Sequence, residues 1–527
     1  MWESIINAVE KVNSAINSVV WGWPMIILIL GTGIYLTVRT KVLQVRKFGT
    51  SWGETIVPTI KSMGGKKRAS DGIAKKEKTI SPFEAFATAI SGTVGTGNII
   101  GVTSAIMTGG PGAVFWMWIS AFFGMVTNYS ENVLGMYFRK KDNFGEFSGG
   151  PMQYLSEGMG RNVRGKTGSV LKFIGKMLGV MAAVFCVFAA IGMSGVQTNK
   201  ISDTFQNAFP QADGKLMGIV VGVVVAFVLA LILLGGIKSI GRVASILVPV
   251  MSLVFIVMSL VVIFANIGAI GSAFSLIFTN IFGFKALAGG VGGYVFAQVI
   301  QKGLARGIFS NEAGLGSSVI AHSASATREP VKQGFWGIFE VFFDTFVICT
   351  LTALVVLVSV PTETIYASGA TDTAISMLAF TSTFGKFGLI VYAVILPLFA
   401  FTTILAWSYY GEKCVDFLFR KTGDKGRKIA TTVFKIVYIL LVVVSALING
   451  ELAWAISDTF NGLMALPNLI GLLFMGGLVA RITKNYLDRK KGKDVKPMLS
   501  AYPEQNEQFI ADLAEENASD EKTAEKE

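Results

Sequence analysis

The sequence predicts an all-α polytopic membrane protein of about eleven transmembrane helices, arranged as an inverted repeat around two interrupted helices. Three observations carry that expectation. Windows of about 18 or more mostly apolar residues recur along the 527-residue chain, each long enough to cross a bilayer. Charged residues make up only 15% of the chain and mean hydropathy is +0.58, too little polar surface for a soluble domain. Two apolar windows, SGTVGTGNIIG at 91–101 and KGLARGIFSNEAGLGSS at 302–318, turn glycine-rich and polar in mid-span, where lipid satisfies no backbone group.

Taken in order, residues 1–19 form an N-terminal segment and 20–38 the first span. The run VVWGWPMIILILGTGIYLTV lacks the basic leader and small-residue cleavage site of a signal peptide, so a retained helix is expected. A basic loop occupies 39–82. The first five-helix repeat covers 83–265, with spans at 83–108, 112–137, 174–198, 217–236 and 243–265. A connection at 266–286 contains FSLIFTNIFGF (274–284), too short to span and expected as a surface helix. The second repeat covers 287–479, with spans at 287–321, 335–359, 387–410, 433–449 and 452–479. Asn449, Gly450 and Glu451 divide the last two. The tail, 480–527, carries nine Asp or Glu from Glu504 to Glu527, a composition that predicts disorder toward its end.

Lys and Arg set the direction. Ten fall in 40–82, eight in 139–176, seven in 411–435 and nine from 481 onward, whereas the other side carries only Lys11, Lys200, Lys215, Lys285 and Lys386. Basic residues stay in the cytoplasm. The N-terminus is therefore expected outside and the C-terminus inside, as an odd number of spans requires.

The formal net charge of +12 belongs to loops facing an anionic membrane surface and does not point to nucleic acid. Three cysteines (Cys186, Cys349 and Cys414) and the single His322 suggest neither a disulfide framework nor a metal-ligand cluster. No HExxH motif occurs, and GTVGTG lies inside a span rather than after a strand, so neither a metalloenzyme nor a dinucleotide fold is indicated. The expectation is a non-enzyme without a cofactor. A channel would favour a repeated filter; here two unlike breaks run in opposite directions.

Those breaks lie five spans apart, so the second has inverted polarity. That placement points to an inverted-repeat transporter with a mid-membrane site. Unwinding frees backbone N–H groups, which suit a carboxylate, and carbonyls, which suit Na⁺. Small-residue helix packing accounts for GTG alone, but less well for Asn98 beside it or for Asn311 and Glu312 in the second break. Charged residues within spans need partners. Lys302 and Arg306 share a helix face, as do Glu340 and Asp344. Arg306, Asn311, Glu312 and Asp344 are candidates for gating or coupling, with lattice ties as the competing reading. Glu84 and Glu131 are expected near watered cytoplasmic ends. His322, at the inner end of the seventh span, is a minor candidate proton carrier.

SGTVGTGNIIG, GGPGAVFWMW (109–118), EFSGGPMQYL (146–155), RGIFSNEAGLGS (306–317) and FAFTTILAWSYYGE (399–412) together resemble the alanine or glycine:cation symporter family, also called the sodium:alanine symporter family. The likeness runs from about Trp21 to about Lys484. It implies the broken-helix fold of the bacterial leucine transporter with one helix added in front. It also implies import of a small neutral amino acid with Na⁺ by alternating access. The substrates implied are L-alanine, glycine and, by extension, D-alanine, in a bacterial or archaeal plasma membrane, with no obligate protein partner. The alternatives are proton coupling and a non-transporting sensor on the same scaffold. By fold position the resemblance places sodium at Thr402 and Thr403, with the backbone of Gly92, Thr93 and Gly95. Together with the local chemistry it places the substrate at Thr96, Gly97, Asn98, Gln197, Ile308 and Phe309, with Trp407 capping the pocket.

Overall fold

The computed structural model of the chain describes residues 2–63, 79–141, 145–161, 163–282, 292–447 and 450–524. Most of the basic run 64–80, the end of 274–284, the start of the seventh span and Asn449 lie outside these residues. In chain order the helices are α1 (Trp2–Val20), α2 (Trp23–Arg39), α3 (Leu43–Arg46), α4 (Phe48–Met63), α5 (Pro82–Thr93), α6 (Gly97–Gly109), α7 (Ala113–Phe138), α8 (Pro151–Gly158), α9 (Gly165–Ala208) and α10 (Gly214–Leu233). They continue with α11 (Gly236–Ala265), α12 (Ile270–Thr279), α13 (Gly292–Asn311), α14 (Val319–His322), α15 (Pro330–Ser359), α16 (Thr362–Ile365), α17 (Asp372–Leu418), α18 (Gly423–Ser445), α19 (Gly450–Arg489) and α20 (Pro503–Ala524).

Each expected span overlaps one helix or two among the described residues, with different bounds. Among the described residues, seven helices are long and apolar enough to cross a membrane, or nine if the bent pairs α1–α2 and α5–α6 each count as one span. The expected spans outside that group are α7, which carries the fully buried Glu131, and α13. The outer helices show why the chain needs lipid: α10 exposes Val220, Val223, Val224 and Phe227, and α18 exposes Ile429, Val433, Ile436 and Leu440.

The 44-residue α9 rises about 66 Å at 1.5 Å per residue, twice the hydrocarbon thickness. It packs against α17 and α19. Glycine permits the approach: a β-carbon on Gly192 would come within 3.0 Å of the Ser457 α-carbon. Because α9 continues to Ala208, Gln197 lies well inside a helix and not at its end, where the sequence had suggested it.

Other expectations change as well. The N-terminal segment is helical, and Trp21 Nε1 donates to the Asp458 carbonyl at 3.0 Å. The basic loop contains α4, whose Ser51 hydroxyl donates to the Phe335 carbonyl at 3.0 Å. The surface helix begins earlier than expected, at Ile270. The tail carries α20 to Ala524, and Phe509 in that helix is buried; few apolar residues suffice when they are aromatic and meet a prepared surface.

At the end bearing Arg139, Arg161, Arg420 and Arg489, two main-chain bonds join the starts and ends of the interrupted spans. Ile80 N–H donates to the Ala324 carbonyl at 3.3 Å, and Ala326 N–H donates to Ile80 at 2.8 Å. The first residue pair leads into α5; the second follows α14.

Candidate functional site: two interrupted helices joined by polar side chains

α5 starts on a capping box. Ser81 Oγ accepts from Glu84 N–H at 3.2 Å, and a Glu84 carboxylate oxygen accepts from Ser81 N–H at 2.8 Å. This explains Glu84 structurally. The helix ends where Val94 adopts ψ +87°, and the chain resumes as α6 after a 47° bend. The opening turns of α6, Gly97–Gly101, are wound as a π-helix, a form that recurs at functional positions.

The freed groups of this break are met by side chains. Gly95 N–H donates to Asn98 Oδ1 at 2.9 Å, and Thr96 N–H donates to Gln197 Oε1 at 3.2 Å. The Ser91 carbonyl accepts from Thr403 Oγ1 at 3.0 Å. Thr96 Oγ1 is buried without a partner, a cost that a ligand oxygen or nitrogen would remove. Glycine is required at position 95 because a β-carbon there would collide with Thr403 Oγ1. A β-carbon on Gly92 would come within 2.7 Å of the Tyr410 hydroxyl.

In the second break, α13 stops at Asn311 and the chain turns through Glu312 (φ +54°), Gly314 (φ +94°) and Gly316 (φ +75°) before α14. A non-glycine residue held at positive φ needs support from its surroundings. Glu312 receives it from Trp407 Nε1, which donates to Oε1 at 2.9 Å, and from the Ser317 hydroxyl. Glu131 Oε1 accepts from Gly314 N–H at 3.0 Å and from Asn468 Nδ2 at 2.5 Å. Asn468 also donates to the Gly314 carbonyl and accepts from the Tyr154 hydroxyl. Glu131 is therefore not at a watered end, as its sequence position suggested; it fastens α7 and α19 to the second break.

Asp344 joins the two breaks. It lies in a second π-helical stretch, Phe342–Cys349 of α15. Its Oδ1 accepts from Asn98 Nδ2 at 2.5 Å, and its Oδ2 accepts from the Ser310 and Thr345 hydroxyls, both at 2.8 Å. Asn311 Nδ2 donates to Thr345 Oγ1 at 3.1 Å. The Cys349 thiol lies 3.4 Å from Asn98 Nδ2 and 3.2 Å from Ser310 Oγ. Three donors thus meet one fully buried carboxyl group.

The residues singled out in the sequence are thus placed unequally. Thr96, Asn98, Gln197, Thr403 and Asp344 form one connected network with the backbone of the first break. Gly97 faces the Phe309 ring, which stacks on Trp454 at 5.0 Å between centroids. Ile308 is buried one residue earlier. Both threonine hydroxyls reach the Phe399 carbonyl, Thr402 at 3.0 Å and Thr403 at 3.1 Å. Thr403 alone of the two also reaches Ser91, whereas Thr402 faces Met251 Sδ at 3.8 Å. Successive helical residues point about 100° apart, so beyond that shared carbonyl the two hydroxyls face different helices. Trp407 is held by Glu312 of the second break and has no hydrogen bond to the first.

Arg306 pairs with Asp458 at 3.2 Å, with its guanidinium 4.6 Å from the Trp454 ring. His322 is fully buried, its Nε2 2.8 Å from Glu340 Oε2 and its Nδ1 2.6 Å from Gln333 Nε2. Both ring nitrogens are therefore engaged by buried polar side chains. The histidine is the last residue of α14, as its position at the end of the seventh span suggested, but it is buried. Ser310, Thr345, Trp454, Asp458 and Asn468 had not been singled out. Asp458 was the readable one, an acid four residues after a tryptophan in a membrane span.

A model of the family described as "Sodium:alanine symporter family" matches residues 6–500. Sodium/alanine symporter AgcS of Methanococcus maripaludis is 39% identical over 489 residues, covering 92% of this chain and 98% of its own. Probable sodium/glutamine symporter GlnT of Bacillus subtilis is 34% identical over 488 residues, covering 92% of each. A solved Na⁺-coupled sialic acid symporter, in a substrate-bound outward-open state, superposes with a TM-score of 0.51 at 12% identity, covering 94% of this chain and 95% of that one. At that identity the likeness concerns the fold.

Proposed function

The chain belongs to the sodium:alanine symporter family, and from that premise we propose that it imports a small neutral amino acid, alanine or glycine, together with Na⁺. The membrane is the plasma membrane, the N-terminus lies outside, and the route is alternating access. The observation that carries this reading is the connection between the two breaks through Asn98 and Asp344, which lets a ligand at one break bias the other. Na⁺ is held by Thr403 with the carbonyls of Gly92, Thr93 and Gly95, and Thr402 stands behind them. The substrate carboxylate meets the N–H groups around Thr96 and Gly97, together with Asn98 and Gln197. Ile308, Phe309 and Trp407 limit the side chain. Arg306 with Asp458 closes the outer side; Asn311, Glu312 and Asp344 transmit between the breaks. Each charge crossing about 100 mV contributes about 2.3 kcal/mol to uphill uptake.

The test is uptake of labelled alanine and glycine into sealed proteoliposomes, with an inward Na⁺ gradient against K⁺ and pH-gradient controls. Concentrative, Na⁺-dependent uptake is expected, with glutamine as a competitor to rank side-chain size. Uptake driven by the pH gradient alone would replace this reading with proton coupling. Absence of both in folded protein would leave the sensor reading.

A further inference from the structure

The basic end of the bundle holds an arrangement the transport cycle does not require. The loop 323–329, between α14 and α15, receives the two main-chain bonds of Ile80 and so closes against the start of α5. Arg139, at the end of α7, is buried beneath it. Its guanidinium donates to the carbonyls of Ser323 at 3.1 Å, Ser325 at 2.5 Å and Thr327 at 2.6 Å. Arg139 alone thus holds three carbonyls of the loop, a charge-assisted set.

The tail then covers Arg139 and its neighbour Arg328. From the end of α19 the chain crosses α7, where Ala501 N–H donates to the Tyr137 carbonyl at 2.8 Å and Arg161 donates to the Ala501 carbonyl at 2.6 Å. The Tyr502 hydroxyl donates to a Glu157 carboxylate oxygen at 2.7 Å. Asn506 Oδ1 accepts from Leu499 N–H and Ser500 N–H, which turns the chain into α20. The Phe509 ring then lies 5.4 Å from the Arg139 guanidinium, 4.7 Å from that of Arg328 and 5.8 Å, edge-on, from Phe147. Asp512 accepts from Arg328 at 2.9 Å. α20 begins just beyond the residues matched by the family, 6–500.

We propose that residues 499–512 form a removable clamp on the inner gate, which holds the loop 323–329 against the start of α5 until the tail is displaced. The inference rests on the alternating-access reading and its orientation. Opening toward the cytoplasm separates Ile80 from Ala324 and Ala326, which requires the loop to move. Arg139 and Arg328 resist that movement, and the tail holds both through an ion pair and aromatic faces. The tail contributes no group to either helix break, so its removal changes how often the gate opens and leaves the ligands in place.

The experiment uses the whole protein and two tail variants in proteoliposomes. One ends at Ser500; the other keeps the full chain with Phe509→Ala and Asp512→Ala. Each carries Ser325→Cys as a reporter, against the buried Cys186, Cys349 and Cys414, and is labelled by a membrane-impermeant maleimide from the inner side. Both tail variants are expected to label at least about tenfold faster than the whole chain, since each loses the Asp512 ion pair and the Phe509 faces on Arg139 and Arg328. Na⁺-driven alanine uptake should keep its dependence on substrate concentration. Unchanged or slower labelling in either folded variant would overturn the clamp. Loss of Na⁺-coupled uptake in the whole chain itself would count against the transport reading, whatever the labelling.

Discussion

Asn98 and Asp344 are 246 residues apart in the chain and 2.5 Å apart in the fold. The amide is fixed in orientation, because its oxygen already accepts from Gly95 N–H and only its nitrogen remains for Asp344. Asp344 in turn accepts from Ser310, so hydrogen bonds connect the first break to α15 and to the residue before the second. The proposed coupling would run along this path. Asp344→Asn tests the link. The new amide presents at most one acceptor oxygen to three donors, so we expect alanine uptake to fall about tenfold to a hundredfold, with the protein still folded by size-exclusion chromatography. Uptake within twofold of the parent would remove Asp344 from the coupling path.

Thr402 and Thr403 should not be equivalent. Both hydroxyls bond to the Phe399 carbonyl of their own helix, but only Thr403 of the two also crosses to the Ser91 carbonyl. We expect Thr403→Val to raise the Na⁺ concentration for half-maximal uptake by about tenfold, the worth of one lost ligand, and Thr402→Val to raise it less. Equal shifts, or none, would count against the sodium assignment.

Trp407 is held in place by Glu312. Trp407→Phe keeps most of the ring and loses the bond, so KM for alanine should rise with little change in size preference. Trp407→Ala opens volume and should raise competition by glutamine relative to alanine. Pockets discriminate by about 1–3 kcal/mol per methylene, so a change in relative competition of about tenfold is expected. Unchanged selectivity would remove Trp407 from the wall of the pocket.

Glu131→Ala leaves Gly314 N–H and Asn468 without their shared acceptor, and should lower stability by about 1–3 kcal/mol. Glu131→Gln keeps one oxygen for them and should recover most of the loss. Thermal unfolding in detergent measures both, and an alanine variant as stable as the parent would refute the fastening role.

Asp458→Asn removes one charge from the pair with Arg306 and leaves the guanidinium against Trp454. If the pair closes the outer side, exchange of bound alanine with external alanine should quicken. A double-mutant cycle with Arg306→Gln should return a coupling of about 1 kcal/mol or more. Additive effects would make the two residues independent.

The breaks were legible in the sequence because glycine, threonine and asparagine in mid-span have no use in lipid. Their existence and opposed directions needed only local composition and the distribution of basic residues. Partnerships were not legible: nothing local joins Asn98 to Asp344, or Glu131 to Gly314. Gln197 was misplaced because polar residues after Thr198 look like a helix end, whereas α9 is sheltered there by α17 and α19. Glu131 was misplaced because its depth depends on the broken helix beside it. The acidic tail looked disordered because composition weighs all residues equally, whereas a single phenylalanine between two arginines anchors its first turns.

The fastening of Ile80 to Ala324 and Ala326 uses amide and carbonyl groups that nearly every amino acid carries. Substitution at these three positions leaves that pair of bonds available, so spelling there is free to drift between relatives without loosening the closure. One residue is the exception. Proline at 80 or at 326 deletes a donor, and a proline scan would therefore detect an inner closure to which an alanine scan is blind.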